Sequence, residues 1–235
     1  MKAEDLQGIG RCLCLYFAKL KAHVIGISRT QTDLDSLKAE NDNIEVHQGD
    51  INDWDQIEKV LLDIGPVDYL VNNAGVFKSI PVLEVTKDLL DYVTDINYKG
   101  SFHVSQVVAK QMIEHKIKGS LVNISSIAGK RIPLNFSLYS CSKAALDTMT
   151  KCFARELAKH KIRVNSLNPT LVNVGMVKQP EIHERIEEIR RSIPMERLLE
   201  AEDVAKAVEY LLSDNAAMIT GVNLSLDGGQ ELFFL

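Results

Sequence analysis

Short segments rich in β-branched residues alternate with longer segments of helical periodicity along most of this chain. Branched residues favour strands, whereas apolar residues three or four positions apart indicate an amphipathic helix. Strands that alternate with helices pair in parallel, because each parallel connection needs a crossover of a dozen or more residues. The pattern therefore predicts a doubly wound α/β fold with a parallel sheet, in which ligands bind beyond the carboxyl ends of the strands.

The same pattern assigns the individual elements. Strands are predicted at residues 22–28, 44–49, 67–72, 120–125, 162–168 and 222–226. Helices are predicted around Cys12 and Cys14 and at residues 53–64, 86–115, 138–160, 181–191 and 201–212. The sequence contains no internal repeat and no low-complexity linker, so we expect one dinucleotide-binding domain over residues 1–235.

Composition argues against several classes of partner. The 235 residues are 46% hydrophobic and 25% charged, which suits one sizeable core, and the formal net charge of −5 gives no footprint for nucleic acid or an anionic membrane. The apolar segments are too short to cross a bilayer and residues 1–7 lack the core of a signal peptide, so we expect a cytoplasmic protein. The irregular spacing of its cysteines, which are Cys12, Cys14, Cys141 and Cys152, predicts neither a disulfide framework nor a metal site.

One pair of residues suggests acid–base chemistry. Tyr139 and Lys143 lie four positions apart in a predicted helix, so the phenol and the ammonium share one face. At ~4 Å and an effective dielectric of about 20, their attraction is roughly 4 kcal/mol, enough to lower the pKa of a tyrosine by up to about three units. A phenol of that kind would suit general acid–base catalysis. An isolated Y-x-x-x-K pattern is nevertheless common by accident, and an ordinary solvated helix would also explain it.

Polar residues at the ends of other predicted strands support this interpretation. Ser126 follows a predicted strand thirteen residues before Tyr139, where its hydroxyl could hold a substrate carbonyl. The segment Asn72-Asn73-Ala74-Gly75 ends another strand, and its small residues allow a flat ligand close to the backbone. Turn formation would explain both segments without any ligand. Asn97 lies inside a predicted helix, where it is a mediocre helix former and would otherwise indicate a kink or a cap.

These elements, in this order, resemble the classical short-chain dehydrogenase/reductase family, whose fold is of the Rossmann type. The resemblance extends from Gly8 to about Gly229, and within the family it is closest to the L-xylulose reductase and tetrameric carbonyl reductase group. It implies that Tyr139 donates a proton to the carbonyl, that Lys143 lowers its pKa and binds the nicotinamide ribose, and that Ser126 positions the carbonyl. It also implies that Asn97 holds a relay water, while hydride comes from the cofactor.

The choice of cofactor is predicted from the end of the first recognisable strand. A basic residue about 20 positions after the glycine turn suits the 2′-phosphate of NADP(H), and Arg29 lies there, 19 residues after Gly10. An ordinary surface arginine would look the same. The other cofactor contacts implied by the resemblance, besides Tyr139 and Lys143, are Gly8, Ile9, Gly10, Ser28, Thr30, Asp50, Ile51, Asn73, Ala74, Gly75, Pro169 and Val172.

The amino end departs from the family pattern. The family glycine turn, T-G-x-x-x-G-x-G, follows an apolar first strand, but Ala3 and Glu4 stand at the Thr and first Gly, and only Met1 and Lys2 precede them. We therefore expect a sheet that lacks the first strand, with unpaired edges on both neighbouring strands. A shortened gene product and an incorrectly defined amino end would both account for this. Val174 also stands where the family often has a threonine that contacts the cofactor.

The leading hypothesis is an NADP(H)-dependent reductase of small carbonyl compounds, with α-dicarbonyls or L-xylulose as the substrates that the resemblance implies. One alternative is a catalytically impaired, weakly cofactor-binding chain that acts as a partner subunit. Another is the same chemistry on 3-oxoacyl thioesters or hydroxysteroids. Residues 129–138 and 173–191 are expected to shape the substrate pocket, but their sequence does not identify the substrate. The apolar residues 232–235 and the two longest helices, together with the resemblance, predict a homotetramer.

Overall fold

The structure is a computed structural model that describes residues 8–178 and 180–232. Ala3 and Glu4, which were predicted to alter the glycine turn, lie outside the described residues. The same is true of residues 233–235 of the apolar carboxyl end.

The described strands form two parallel sheets. β1 (Ile25–Ser28) pairs with β2 (Glu45–Gln48). The second sheet has four strands in the order β3 (Tyr69–Asn72), β4 (Ser120–Ile124), β5 (Arg163–Pro169) and β6 (Asn223–Leu226). All pairings are parallel, which confirms the α/β class, and the six predicted strands are all present, most of them shorter than predicted.

One helix precedes the first described strand, and the others lie in the connections between strands. They are α1 (Ile9–Lys19), α2 (Gln31–Glu40), α3 (Trp54–Ile64), α4 (Lys87–Thr94), α5 (Ser101–Glu114), α6 (Ser137–Leu157), α7 (Pro180–His183), α8 (Ile186–Arg191) and α9 (Ala201–Leu212). The helix predicted at 201–212 has the observed bounds, and that predicted at 181–191 is divided into α7 and α8. The sequence assignment omitted α2, since its polar sequence buries only Leu34 and Leu37.

The helix predicted at 86–115 is interrupted. Between α4 and α5 the backbone widens into a π-helical segment, Asp95–Gly100, which contains the buried Asn97. Such segments often occur at functional sites. A side chain on Gly100 would clash with Ile51, because an added Cβ would overlap Ile51 Cγ1. The glycine thus lets this helix approach the loop after β2 closely.

The four-stranded sheet carries helices on both faces. All five residues of β4 are buried. Val122 and Ile124 pack in the cluster that contains Leu211 of α9, whereas Leu121 packs in the cluster that contains Met112 of α5. Alternate residues of a strand point to opposite faces, so coverage on both sides explains why this strand has apolar residues on both of its faces. No helix within the described ranges is long and apolar enough to cross a membrane.

One helix joins the two sheets. Leu13 of α1 packs with Val122 and Leu211 on the four-stranded sheet, whereas Cys14 and Leu15 of the same helix pack against the cluster around Leu34 and Leu37. Among the residues that the structure describes, no strand lies between β1 and β3, and the expected lack of a first strand stays a prediction because residues 1–7 are not described.

Candidate active site

The predicted site residues lie where the carboxyl ends of the strands meet. Ser28 ends β1, Asn72 ends β3, Ser126 follows β4 and Pro169 ends β5. Because the paired strands are parallel, these ends share one edge of each sheet, which is the position at which doubly wound folds bind ligands. The residues that the sequence pattern singled out thus lie together at the carboxyl ends of the strands.

Tyr139 and Lys143 lie on one face of α6, as their spacing predicted. Both side chains are buried, with exposed fractions of 9% and 3%. Lys143 Nζ lies 5.7 Å from the centroid of the Tyr139 ring and donates a hydrogen bond of 2.9 Å to the Ile124 carbonyl oxygen. The ammonium therefore faces the ring of the phenol, and β4 holds it in place.

The predicted direction of the Tyr139 pKa shift is wrong for this structure. Burial raises the pKa of Tyr139 to about 12, and its hydrogen bond with Ser126 lowers the pKa only in part. Burial also lowers the pKa of Lys143 to about 8, which Asp147 opposes by its negative charge. Desolvation disfavours the charged form of each group, and here it outweighs the neighbouring charge. At neutral pH the phenol is therefore protonated, as a proton donor requires.

Ser126 begins the loop that follows β4. Its Oγ accepts a hydrogen bond of 3.1 Å from the Ala128 amide and so caps a short 3₁₀ turn, Ile127–Gly129. Asn168 Nδ2 donates a 3.1 Å hydrogen bond to the Ser126 carbonyl oxygen. Turn formation and site formation thus coincide at this serine, since the capping bond itself fixes the side chain beside Tyr139.

Asn97 fixes the loop that follows β3. Its Oδ1 accepts from the Val76 amide at 2.7 Å, and its Nδ2 donates to the Val76 carbonyl at 2.9 Å and to Ser142 Oγ at 2.9 Å. The interruption of the helix and the hydrogen bonds of Asn97 therefore occur together, because the widened backbone brings the side-chain amide of Asn97 close to Val76. The relay water stays a prediction, since both N–H groups of Asn97 already have protein partners.

A buried polar network behind the site was not found from the sequence. Asp147 accepts from Asn168 Nδ2 at 2.7 Å and from Ser166 Oγ at 2.9 Å. Asn72 Nδ2 donates to Asn123 Oδ1 at 2.8 Å, which links the ends of β3 and β4. The available signal was the presence of asparagine and serine inside otherwise apolar strands, where polar groups require partners.

The predicted cofactor residues line the same edge, and they are distributed over several loops. Gly8 precedes α1 and approaches Val174, because an added Cβ would lie 3.6 Å from Val174 Cγ2. At Gly75 an added Cβ would lie 3.3 Å from Lys143 Nζ and 3.5 Å from Asn97 Oδ1. Any larger residue at Gly75 would thus fill space beside the catalytic candidates.

The remaining cofactor candidates also lie at the ends of strands or at the start of α1. Ile9 and Gly10 begin α1, Arg29 and Thr30 follow β1, Asp50 and Ile51 follow β2, Asn73 and Ala74 follow β3, Pro169 ends β5, and Val172 pairs with Leu199 beyond it.

Two hydrogen bonds order the loop after β1. The Thr30 amide donates to Ser28 Oγ at 3.3 Å, and Gln48 Nε2 donates to the Arg29 carbonyl at 2.9 Å. Arg29 is therefore held at the end of the two-stranded sheet.

Known proteins similar to this chain are reductases and dehydrogenases. The family model described as enoyl-(acyl carrier protein) reductase matches residues 3–231. L-xylulose reductase of Mesocricetus auratus is 43% identical over 225 residues, which cover 95% of this chain and 92% of that protein. D-erythrulose reductase of Gallus gallus is 40% identical, with coverage of 95% and 91%. Carbonyl reductase (NADPH) 2 of Sus scrofa is 39% identical, with coverage of 95% and 92%.

Solved structures show the same architecture. 4-Hydroxyisoleucine dehydrogenase complexed with NADH matches with a TM-score of 0.90 and 31% identity over 97% of this chain and 96% of that one. The family-model match at residues 3–231 spans the positions of all four candidate catalytic residues, Asn97, Ser126, Tyr139 and Lys143.

Proposed function

The chain belongs to the short-chain dehydrogenase/reductase family, and we propose that it is an NADP(H)-dependent oxidoreductase that reduces small carbonyl compounds through Asn97, Ser126, Tyr139 and Lys143. The observation that carries this proposal is the buried Tyr139 phenol, protonated at neutral pH and flanked by Lys143 and Ser126 at the carboxyl edge of the sheet. Reduction of a carbonyl needs a proton donor at its oxygen, and this phenol meets that need.

The proposed reaction assigns a separate task to each polar group. When bound, a reduced nicotinamide supplies hydride to the carbonyl carbon. The Tyr139 hydroxyl donates its proton to the carbonyl oxygen, and the Ser126 hydroxyl donates a hydrogen bond to that oxygen. Lys143 in its cationic form stabilises the phenolate that remains, and Asn97 keeps the loop after β3 in position.

The residues at the edge of the sheet fit a dinucleotide. Gly75 has no side chain to shield its backbone from Lys143 Nζ, and Gly8 brings the start of α1 to the same edge, where backbone N–H groups and the helix dipole favour a pyrophosphate. Arg29 would take the 2′-phosphate of NADP(H). One relative carries NADPH in its name and a structural neighbour is complexed with NADH, so Arg29 is the feature that favours NADP(H) here.

Titration of the protein with NADPH and with NADH, followed by nucleotide fluorescence, tests the cofactor part of the proposal. We expect tighter binding of NADPH, and we expect Arg29→Asp to reverse this preference, because it replaces the cation with an acceptor for the 2′-hydroxyl. Failure to bind either nucleotide would favour the alternative of a catalytically impaired partner subunit.

Turnover tests the reaction itself. NADPH oxidation is followed at saturating NADPH with diacetyl and with L-xylulose, and the Tyr139→Phe variant is the control for other NADPH-consuming activity. A 3-oxoacyl thioester is included as the competing substrate class, since it presents a ketone to the same proton donor. Turnover confined to the thioester would replace the small-carbonyl proposal with that second candidate.

A further inference from the structure

Three aromatic rings lie together at the catalytic tyrosine. The ring centroids of Phe77 and Tyr139 are 5.3 Å apart, those of Phe136 and Tyr139 are 6.5 Å apart, and those of Phe77 and Phe136 are 4.6 Å apart. All three pairs meet edge to face, which is a favoured aromatic arrangement. Phe77 is buried and Phe136 half-buried, so the second phenylalanine keeps one side accessible.

The side chains around these rings are also apolar. Phe77 and Tyr139 share a buried cluster with Ala128 and Ile182, and the partly buried members of that cluster are Phe136, Leu171 and Ile189. These residues come from the loops after β3, β4 and β5 and from the helices α6, α7 and α8. The Ile80 amide donates a 2.8 Å hydrogen bond to the Asn135 carbonyl, which ties together the two loops that carry Phe77 and Phe136.

Phe136 occupies a position that local chemistry does not favour. It is the N-cap of α6, a helix of 21 residues, and its side chain makes no capping hydrogen bond within the described chain. Serine, threonine, aspartate and asparagine are strongly preferred there, because their oxygens accept from the first free N–H groups. A residue that breaks a local rule often marks a functional site, and here the ring projects into the cluster beside Tyr139.

We infer that the site selects carbonyl compounds whose substituent beside the carbonyl is apolar, and that Phe77 and Phe136 set this preference. The inference rests on the proposed carbonyl reduction. A substrate whose carbonyl oxygen accepts the proton of Tyr139 brings one substituent against these rings. Hydroxyl groups on that substituent would leave water without gaining a partner, whereas an alkyl chain would be transferred from water to an apolar surface. Polyhydroxylated ketoses are therefore the disfavoured class.

The sharpest test compares two substrates with the same carbon skeleton. 1-Hydroxybutan-2-one and L-erythrulose share four carbons, the position of the carbonyl and the 1-hydroxyl, and they differ only in the hydroxyls at C3 and C4. An apolar pocket rejects an added hydroxyl by up to roughly 10²-fold, so we expect kcat/KM to favour 1-hydroxybutan-2-one by about tenfold or more. A smaller ratio, or a preference for L-erythrulose, would overturn the inference.

Two variants test whether the apolar character of the side chain at position 136 sets the substrate preference. Phe136→His keeps a planar ring but adds hydrogen-bonding atoms, so we expect the kcat/KM ratio of the two substrates to fall by at least about threefold. Phe136→Leu keeps the surface apolar, and its ratio should stay within about threefold of the wild-type value. Equal falls in both variants would show that ring packing sets the ratio, and this would overturn the role given to Phe136.

The outcome also separates this inference from the proposed function. If neither ketone is reduced with NADPH or NADH, the proposed carbonyl reduction fails and the inference fails with it. If both are reduced equally well, the proposed function stands and only the assigned preference is lost.

Discussion

Burial controls the acid–base chemistry of the two central residues. Tyr139 and Lys143 are both enclosed between α6 and the end of β4, and each is driven toward its neutral form. The phenol therefore keeps its proton far above neutral pH, whereas the amine titrates near it. This division suits a site in which tyrosine gives up a proton only as the carbonyl accepts hydride.

Removing the phenol hydroxyl tests the assigned role of Tyr139. We expect Tyr139→Phe to abolish carbonyl reduction and to leave NADPH affinity nearly intact, because only the transferable proton is lost. Loss of a general acid typically costs 10²-fold or more, so retention of more than about a tenth of wild-type turnover would contradict the role. Lys143→Ala serves as the comparison, since it should lower both turnover and NADPH affinity.

The pH dependence of reduction should report on Lys143. Its pKa of about 8 means that the cation is present at lower pH and is lost as the pH rises through 8, whereas Tyr139, with a pKa of about 12, stays protonated. We therefore expect kcat/KM for reduction to fall above about pH 8. The profile is measured between pH 6 and 10 in buffers of constant ionic strength. A flat profile up to pH 10 would show that the Lys143 charge does not limit the reaction.

At the scale of secondary-structure elements, asparagines hold β4, β5 and α6 together behind the site. Asn168 near the end of β5 bonds both Asp147 of α6 and the carbonyl of Ser126. Asn165 on the same strand lies farther from the site and instead bonds the Ile219 carbonyl and the Val222 amide. The two asparagines are equally buried, with an exposed fraction of 0%, so they form a matched pair for substitution.

Asn168→Ala should impair both folding and catalysis. The substitution removes a partner from the buried Asp147 carboxylate and releases the Ser126 carbonyl, and leaving a buried polar group unpaired costs about 1–3 kcal/mol. We expect a comparable loss of unfolding free energy in urea for Asn165→Ala, but a lower kcat only for Asn168→Ala. Equal kcat values in the two folded variants would show that Asn168 does not position Ser126.

At the scale of the whole molecule, the described strands leave an interruption between two sheets. β1 and β3 each have one partner strand among the described residues, and α1 packs on both sheets. An unpaired backbone group that is buried costs about 1–3 kcal/mol, while whole domains are stable by only about 5–15 kcal/mol. A few such groups would therefore reduce the stability of the fold considerably.

A version with an added family-like first strand should be more stable. We expect this strand, combined with Ala3→Thr and Glu4→Gly, to raise the thermal midpoint and to increase the further shift caused by NADPH, because a strand between β1 and β3 would give each a second partner and the substitutions supply the Thr and Gly of the family glycine turn. A version with only the two substitutions separates the strand from the loop chemistry. Equal midpoints and equal NADPH shifts in all versions would show that the chain already compensates for the strand.

Assembly is the second prediction at this scale. Leu232 is 83% exposed, and exposed apolar ends of this kind usually find cover. We expect a homotetramer, assembled through the long helices and the carboxyl ends. Light scattering at micromolar concentration measures the mass directly, and a monodisperse monomer would contradict the prediction.

The sequence alone was sufficient for the fold class, the positions of the six strands and the placement of the candidate residues at the ends of those strands. These features depend on local periodicity and on the rule that ligands bind at the carboxyl ends of parallel strands, and both are visible in residue spacing. The spacing of Tyr139 and Lys143 likewise predicted their shared helix face.

Only the tertiary structure decided the direction of the Tyr139 pKa shift, the break at Asn97, the support from Asp147 and Asn168, and the aromatic cluster at Phe136. Each depends on contacts between residues far apart in the chain. Burial of Tyr139 requires β4 and the loops that cover it, and the break at Asn97 accompanies its bonds to Val76. Spacing along a sequence predicts which residues share an element, but desolvation and packing arise only when separate elements meet.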